Sequence, residues 1–334
     1  MLRKLVRHTS SASYVQQVRR ESKKLLTAAL DTAMADGGCD ASEDLSLCLP
    51  MGALIAIFGL TLSNARELIA LTRSMIGIED PFFGGSVGGD DLQLSSIHAD
   101  MLSLFDEVLT YRRQNPGDDL ITYMLGAEVN GDELTDEEIL LNCINLAVGG
   151  NETSSYTAST GVYLLAENEY APEALLANPE LMDRTIAEIL RWSSTNCYVL
   201  RKCTSDFHLN GTLIRRGELV TLWNVSANRD KSVFDDPDRF NIFRSPNRHL
   251  AYGAGIHRCV GTPLAGVELE VFFREIVSRK IRFTLDDDVR WLRSNFINGP
   301  VKLSVSIDKY DRPSNLVSRE LISSPSRPDD RTAR

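Results

Sequence analysis

The sequence predicts a mainly α-helical globular protein with a small β region. Its 334 residues are 43% hydrophobic and 25% charged, a composition that excludes disordered, collagen-like and coiled-coil chains. Apolar residues recur at helical spacing through the first half, and short strand-like segments follow in the second. The length alone leaves open one large helical domain or two domains.

The first-half helices are predicted from apolar periodicity and from start and stop signals. Apolar residues recur from Val15 to Ala33, and Gly37-Gly38 then ends the pattern. A second amphipathic run follows Ser63-Asn64. Thr135 and Glu138 have the spacing of a capping box, and a long apolar helix comes after them.

The second half combines helices with short strands. Helices are predicted over 181–192 and from about Cys259, and strands over 207–211, 219–223 and 301–307. Asn-Gly and Arg-Gly turns lie between the first two strands. The tail, 311–334, is rich in Ser, Pro, Arg and Asp and is predicted to be disordered.

Charge and cysteine usage restrict the function class and the compartment. The net charge is −10, which disfavours binding to nucleic acid or to an anionic membrane. The basic stretch from Arg3 to Lys24 is the exception; it is either a solvated helix face or a docking patch for an acidic partner. The sequence shows no secretion signal and no apolar segment long enough to span a membrane. Its six cysteines show no CxxC or metal-finger spacing, so we expect a cytoplasmic protein without disulfides or structural zinc.

One short motif suggests a serine hydrolase. Gly84-x-Ser86-x-Gly88 matches the nucleophile elbow, which needs a strand before it and a helix directly after it. Here a helical pattern precedes the motif and the glycine run continues beyond it. The hydrolase hypothesis is therefore disfavoured, and it predicts esterase activity that is lost in Ser86→Ala.

The long apolar helix contains a segment that does not suit a helix interior. Gly149 and Gly150 together cost about 2 kcal/mol of helix stability relative to alanine. Thr153 and Ser154 follow and can divert hydrogen bonds from the backbone. Such local inconsistencies in a buried helix tend to mark functional sites.

The most informative segment of the chain is Tyr252 to Ala265, a glycine-rich loop that delivers Cys259 to the first turn of an apolar helix. Helix amides favour a thiolate there, and the flanking glycines let backbone N–H groups approach the sulfur. A single such cysteine, with no second cysteine nearby, is typical of an axial ligand to haem iron. The alternative, a small buried hydrophobic residue, does not explain the glycines.

This segment closely resembles the haem-binding loop of cytochrome P450 monooxygenases, whose pattern is Phe-x-x-Gly-x-His/Arg-x-Cys-x-Gly. The match lies at Gly255, His257, Cys259 and Gly261. The departure is Tyr252, where the family usually has Phe. The tyrosine keeps an aromatic ring near the sulfur and adds a hydroxyl.

Three further motifs occur in the family's order. Gly149-Gly150-x-Glu152-Thr153 resembles the oxygen-activation motif of the family's central helix. Glu188-x-x-Arg191 resembles the helical pair that locks the core behind the haem, and the segment 228–244 resembles the stretch leading into the haem loop. The fold class implied is the cytochrome P450 fold, a single large helical domain over residues 1–310 with the tail at 311–334 outside it.

The resemblance assigns a role to each motif residue. Cys259 would ligate the iron of haem b, and Gly149 and Gly150 would make room for dioxygen. Thr153 would hold the bound oxygen and its water while Glu152 relays protons. Arg191 and Glu188 would form a triad with a later arginine, either Arg239 or Arg244, and Arg244 is the preferred candidate. The remaining haem-binding residues implied are Arg201, His257, Arg3, Tyr252, Gly253, Gly255, Gly261 and Ala265.

The function implied is insertion of one atom of dioxygen into a small molecule, by hydroxylation or epoxidation, in the tailoring of a secondary metabolite. Ferredoxin and ferredoxin reductase would supply electrons, and the substrate would be free or bound to a carrier protein. By the family's pattern the chain begins inside the fold, so its own haem binding is expected to be weak. The alternative is a non-catalytic haem-binding or carrier-docking protein that keeps the scaffold without turnover.

Overall fold

The computed structural model describes residues 11–85, 90–129, 131–168 and 170–310. Its α-helices are α1 (Ala12–Asp36), α2 (Cys48–Phe58), α3 (Leu62–Ile76), α4 (Asp91–Gln114), α5 (Leu120–Leu125), α6 (Asp136–Ala166), α7 (Ala171–Ala177), α8 (Met182–Ser193), α9 (Asn224–Ala227) and α10 (Thr262–Ser278). A π-helix spans Ala41–Leu45, and short 3₁₀ turns span Pro81–Phe83, Pro179–Leu181 and Gly255–His257. The predicted tail and the Ser86 of the hydrolase motif lie outside the described residues.

The strands are short, and all their pairings among the described residues are antiparallel. They are β1 (Gly38–Asp40), β2 (Glu128–Val129), β3 (Asp132–Glu133), β4 (Tyr198–Lys202), β5 (Phe207–Leu209), β6 (Thr212–Ile214), β7 (Leu219–Trp223), β8 (Ile281–Leu285), β9 (Arg290–Trp291), β10 (Pro300–Lys302) and β11 (Ser304–Lys309). The largest sheet has the order β1-β11-β8, and the other strands form the pairs β2–β3, β4–β7, β5–β6 and β9–β10. The prediction of a mainly α fold with a small β region is confirmed.

Helix α1 follows the sequence prediction at both its face and its end. Leu26, Leu30 and Ala33 lie on its buried side and belong to the main hydrophobic core. Gly37 ends the helix in the left-handed region with φ of 77°, and its N–H donates to the Ala33 carbonyl. A residue with a side chain would be strained in that conformation, so glycine is the natural stop.

Helix α6 packs against helices from both halves of the chain. The predicted capping box is present: Glu138 N–H donates to Thr135 Oγ1 at 3.2 Å, and Thr135 N–H donates to Glu138 Oε2 at 3.0 Å. Toward its end the helix is buried on all sides, and a Cβ added at Gly161 would lie 2.3 Å from Phe273 Cζ on α10. This close contact fixes α10 against α6.

Among the described residues, one helical stretch is long and apolar enough to cross a membrane. It is Ala41–Phe58, the π-helix and α2 together, and 61% of it is buried inside the protein. It packs against α1, where a Cβ at Gly52 would overlap the backbone nitrogen of Ser22 at 2.4 Å. This is the pattern of a core helix.

The prediction of one strand over 301–307 was wrong, since two strands occupy that stretch. Strand β10 pairs with β9, whereas β11 pairs with β1 and β8. The break falls at Leu303, whose N–H donates to Asp40 Oδ1 and whose carbonyl accepts from Ala41. Those two bonds to the β1 turn take the place of strand pairing at Leu303.

Candidate active site

The Cys259 loop is held by backbone geometry that needs glycine. Gly253 and Gly255 have φ of 64° and 68°, and the Cys259 N–H donates to the Tyr252 carbonyl at 2.7 Å. Helix α10 begins at Thr262, with Gly261 as its N-cap. Cys259 therefore lies two residues before the N-cap, not in the first turn of the helix as predicted. The Thr262 hydroxyl donates to the Cys259 carbonyl at 2.8 Å.

The loop and the glycine segment of α6 both border open space. A Cβ added at Gly149, Gly150, Gly255 or Gly266 would meet no atom within 4 Å, and Cys259 is exposed. Helices α6 and α10 pack together. Open space beside the loop and one exposed soft sulfur donor fit a haem bound through Cys259.

Two of the predicted cationic or polar partners of the haem are accessible to solvent. Arg201 lies on β4, is half-buried and makes no ion pair with a carboxylate of the described residues. His257 is exposed on the 3₁₀ turn just before Cys259. Arg3 lies outside the described residues. Gly261 and Ala265 lie at the start of α10 and are partly exposed.

The Gly149–Thr153 segment stays helical, because α6 runs unbroken through it. Gly149 and Gly150 are exposed, and the Thr153 hydroxyl donates to the Gly149 carbonyl at 2.8 Å. The Ser154 hydroxyl likewise donates to the Gly150 carbonyl at 3.1 Å. Both hydroxyls thus lie beside the glycines, and that of Thr153 is on the exposed side of the helix.

Glu152 faces the opposite way and is fully buried. Its Oε1 lies 3.4 Å from the Thr72 hydroxyl, and its Oε2 lies 3.4 Å from Arg73 Nε. Burial raises the pKa of the Glu152 carboxyl to about 7, with the Arg73 charge opposing the shift. Within the described part of the chain, no hydrogen bond joins Glu152 to Thr153, so the structure does not bring the two predicted catalytic side chains into contact.

The structure brings Glu188, Arg191 and Arg244 together. Arg191 is fully buried on α8 and donates to both Glu188 oxygens at 2.8 Å. Arg244 Nε approaches the same carboxylate at 3.0 Å, whereas Arg239 offers only its carbonyl oxygen. The cluster ties α8 to the loop that leads to Cys259, because Arg191 also donates to the carbonyls of Asn228 and Pro237.

Comparison with known proteins decides the family. The protein-family model described as Cytochrome P450 matches residues 93–295, more than half of the chain. This chain belongs to the cytochrome P450 family. Membership confirms the predicted fold, the enzyme class of oxidoreductase and, at the level of the family, haem-thiolate monooxygenation.

The relatives of this cytochrome P450 act on different molecules. Linalool 8-monooxygenase of Pseudomonas putida is 34% identical over 78% of this chain and 63% of its own length. The steroid C26-monooxygenase of Mycolicibacterium smegmatis is 32% identical over 84% of this chain and 70% of its own. The solved structure of P450BioI in complex with a hexadec-9Z-enoic acid-ligated acyl carrier protein has a TM-score of 0.82 at 27% identity, covering 92% of this chain and 78% of that one. The chain thus spans 63% of the length of linalool 8-monooxygenase.

Sequence reasoning missed two buried charged residues of this cytochrome P450. Glu268 on α10 is buried, its Oε1 has no hydrogen-bond partner among the described residues, and burial raises its pKa to about 8. Arg73 on α3 is 4% exposed and lies beside Glu152. Each interrupts the apolar face of its helix, in Val267-Glu268-Leu269 and Leu71-Thr72-Arg73. That charged residue within an apolar face is the sequence pattern that could have identified them.

The basic patch predicted on α1 is mostly paired with acids. Arg19 forms an ion pair with Glu270 at 2.8 Å and Lys23 with Glu275 at 2.8 Å, both on α10. Arg20 pairs with its neighbour Glu21. Arg19 and Lys23 thus bridge α1 to α10, while Arg3, Lys4 and Arg7 of the predicted patch lie outside the described residues.

Proposed function

We propose that this chain binds haem b through Cys259 and inserts one atom of dioxygen into an apolar small molecule, by hydroxylation or epoxidation. The observation that carries the proposal is the exposed Cys259 on a glycine-shaped loop, together with the open space beside Gly149 and Gly150 of α6. When bound, the haem supplies dioxygen activation, and electron density from a thiolate ligand favours O–O cleavage. The chemistry left to the protein is binding, orientation and proton movement.

The residues that would hold the haem are those of the Cys259 loop and two flanking side chains. Arg201 and His257 offer cationic or hydrogen-bonding groups for carboxylates at the edge of the group. Gly253 and Gly255 permit the backbone turn that presents the sulfur. Ala265, on the first turns of α10, keeps that side of the loop small.

Glu152 and Thr153 divide the proton chemistry between them. With a pKa near 7, Glu152 exists in both protonation states at neutral pH, which is the condition for efficient general acid–base catalysis. Thr153 exposes a hydroxyl on the open side and can accept or donate a hydrogen bond at Oγ1. Because the two side chains face opposite ways, proton transfer between them requires a rotation of the Glu152 side chain or an intervening water.

The substrate class is proposed from the apolar side chains near the glycine segment and on β4. Leu146 and Val199 are partly exposed, whereas Thr195 and Cys197 are buried. Thr195 makes a 3.0 Å hydrogen bond with Thr157 of α6. An apolar molecule of medium size, a secondary metabolite free or carrier-bound, fits this surface and the named substrates of the relatives.

The electron donors proposed are ferredoxin and ferredoxin reductase, and the compartment proposed is the cytoplasm. All six cysteines are free, as expected for a reducing compartment. Each turnover takes two electrons, which these partners would deliver one at a time.

The test is the carbon monoxide difference spectrum of the reduced full chain reconstituted with haem. We expect the Soret band of a thiolate-ligated haem, its complete loss in Cys259→Ser, and its retention in the matched control Cys203→Ser. NADPH consumption with ferredoxin and its reductase, measured next, separates the enzyme from a non-catalytic haem protein. A thiolate band that survives in Cys259→Ser would overturn the proposal.

A further inference from the structure

Glu43 projects from an unusual element. It lies on the π-helix Ala41–Leu45, between β1 and α2. Asp40 anchors this turn, because its Oδ1 accepts from Ser42 N–H at 2.9 Å and from Leu303 N–H at 3.0 Å. Single π-turns are rare and are frequent at functional sites. The wide turn therefore sets the direction in which Glu43 projects.

The partner of Glu43 is the buried guanidinium of Arg73. Arg73 Nη1 donates to Glu43 Oε1, and Arg73 Nη2 lies 3.5 Å from the Ser42 carbonyl on the same turn. The Glu43 side chain is 40% exposed, while that of Arg73 is 5% exposed. Glu43 thus holds Arg73 from the surface side.

Arg73 attracts Glu152 on its other side without hydrogen-bonding to it. Arg73 Nε and Glu152 Oε2 are 3.4 Å apart, yet both atoms are buried and neither has a hydrogen-bond partner among the described residues. A charge-assisted bond between such groups would normally be shorter, about 2.7–2.9 Å. The hold of Glu43 on the guanidinium accounts for this incomplete contact.

One cation therefore serves two carboxylates inside the protein. The other groups facing Glu152 are the Thr72 hydroxyl on α3 and the Tyr156 hydroxyl on α6, neither of which carries a charge at neutral pH. Burial disfavours the charged carboxylate, and a shared cation offsets burial less than a dedicated one.

We propose that Glu43 is a positioning residue: by holding the Arg73 guanidinium from the surface side, it prevents a full ion pair with Glu152 and leaves that carboxyl able to take up and release a proton. The inference rests on the proposed proton role of Glu152. It assigns to the π-turn a part in the chemistry of the central helix, although the turn itself lies outside the haem-binding loop.

The experiment is an infrared pH titration of the protonated-carboxyl band of the full chain, assigned to Glu152 by its loss in Glu152→Gln. In Glu43→Gln the guanidinium is free to close on Glu152, so we expect the titration midpoint to fall by about one pH unit. Glu43→Asp keeps the negative charge and should restore most of the wild-type midpoint.

Glu67→Gln is the matched control, since Glu67 is an exposed residue of the same helix as Arg73 and its change removes the same charge. Its midpoint should equal that of wild type. An unchanged midpoint in Glu43→Gln, or an equal fall in Glu67→Gln, would overturn the proposal. The titration does not require turnover, so a shifted midpoint in a chain that fails to oxidise substrate would count against the proposed function and leave this inference standing.

Discussion

Two glutamates of this cytochrome P450 are equally buried and differently satisfied. Glu188 on α8 accepts from three donor groups at each carboxylate oxygen: Arg191 and Arg244 at both, Asn241 N–H at Oε1 and Asn247 at Oε2. Glu152 on α6 has one long hydrogen bond from Thr72, the Tyr156 hydroxyl beside it and an arginine that does not hydrogen-bond to it. The two carboxylates are equally buried, but Glu188 accepts more hydrogen bonds than Glu152.

The difference separates a structural carboxylate from a chemical one. Six directed hydrogen bonds satisfy the Glu188 carboxylate and tie α8 to the 239–247 segment, so its role is structural. Glu152 lacks that stabilisation, and burial raises its pKa to about 7. The comparison predicts that removing donors from the first site destabilises the protein, whereas changing the second alters its response to pH.

The largest effect is expected from Arg191→Ala. The change leaves the Glu188 carboxylate buried with half of its cations and removes bonds to the Asn228 and Pro237 carbonyls. Breaking a buried pair in this way costs about 3–5 kcal/mol of unfolding free energy. Urea denaturation monitored by circular dichroism measures it.

Arg239→Ala is the control for this prediction, because the Arg239 side chain is exposed and only its carbonyl joins the cluster. A change within about 0.5 kcal/mol is expected there. If Arg191→Ala were as mild as the control, the structural interpretation of Glu188 would be wrong.

A smaller, pH-dependent effect is expected from Glu152→Gln. The carboxyl has a pKa of about 7 in the folded protein and an ordinary value of 4.5, so the folded state binds the proton more tightly. The resulting stabilisation is complete below pH 4.5 and is lost as pH rises to about 7. The glutamine variant cannot ionise, so its stability relative to wild type should rise across that window, by at most about 3 kcal/mol.

The measurement is the difference in unfolding free energy between wild type and variant at several pH values. Using the difference matters because Glu268, with a pKa of about 8, titrates in an overlapping window in both proteins. Glu137→Gln, a charge change at the exposed start of α6, should show no such slope. A flat difference for Glu152→Gln would mean that Arg73 neutralises Glu152 fully.

The sequence predicted the elements whose signals are local. Gly37 as a helix stop, the Thr135–Glu138 capping box and the Cys259 loop all depend on residues a few positions apart. The orientation of Glu152 could not be predicted that way, because it depends on Arg73, which is 79 residues earlier on another helix. The Leu303 strand break was missed for the same reason, since Asp40 causes it from the other end of the chain.

The smallest effect is expected at Tyr252, where the sequence departs from the family's usual phenylalanine. The Tyr252 hydroxyl is buried without a hydrogen-bond partner among the described residues, and burial together with the Cys259 and Glu268 charges raises its pKa. An unpaired buried hydroxyl costs stability, so Tyr252→Phe should raise the unfolding free energy by about 1 kcal/mol. The exposed Tyr170→Phe provides the control, with no change expected. If Tyr252→Phe lowered the stability instead, the hydroxyl would have a hydrogen-bond partner. A double variant with Glu268→Gln would then show whether that partner is the Glu268 carboxyl on α10.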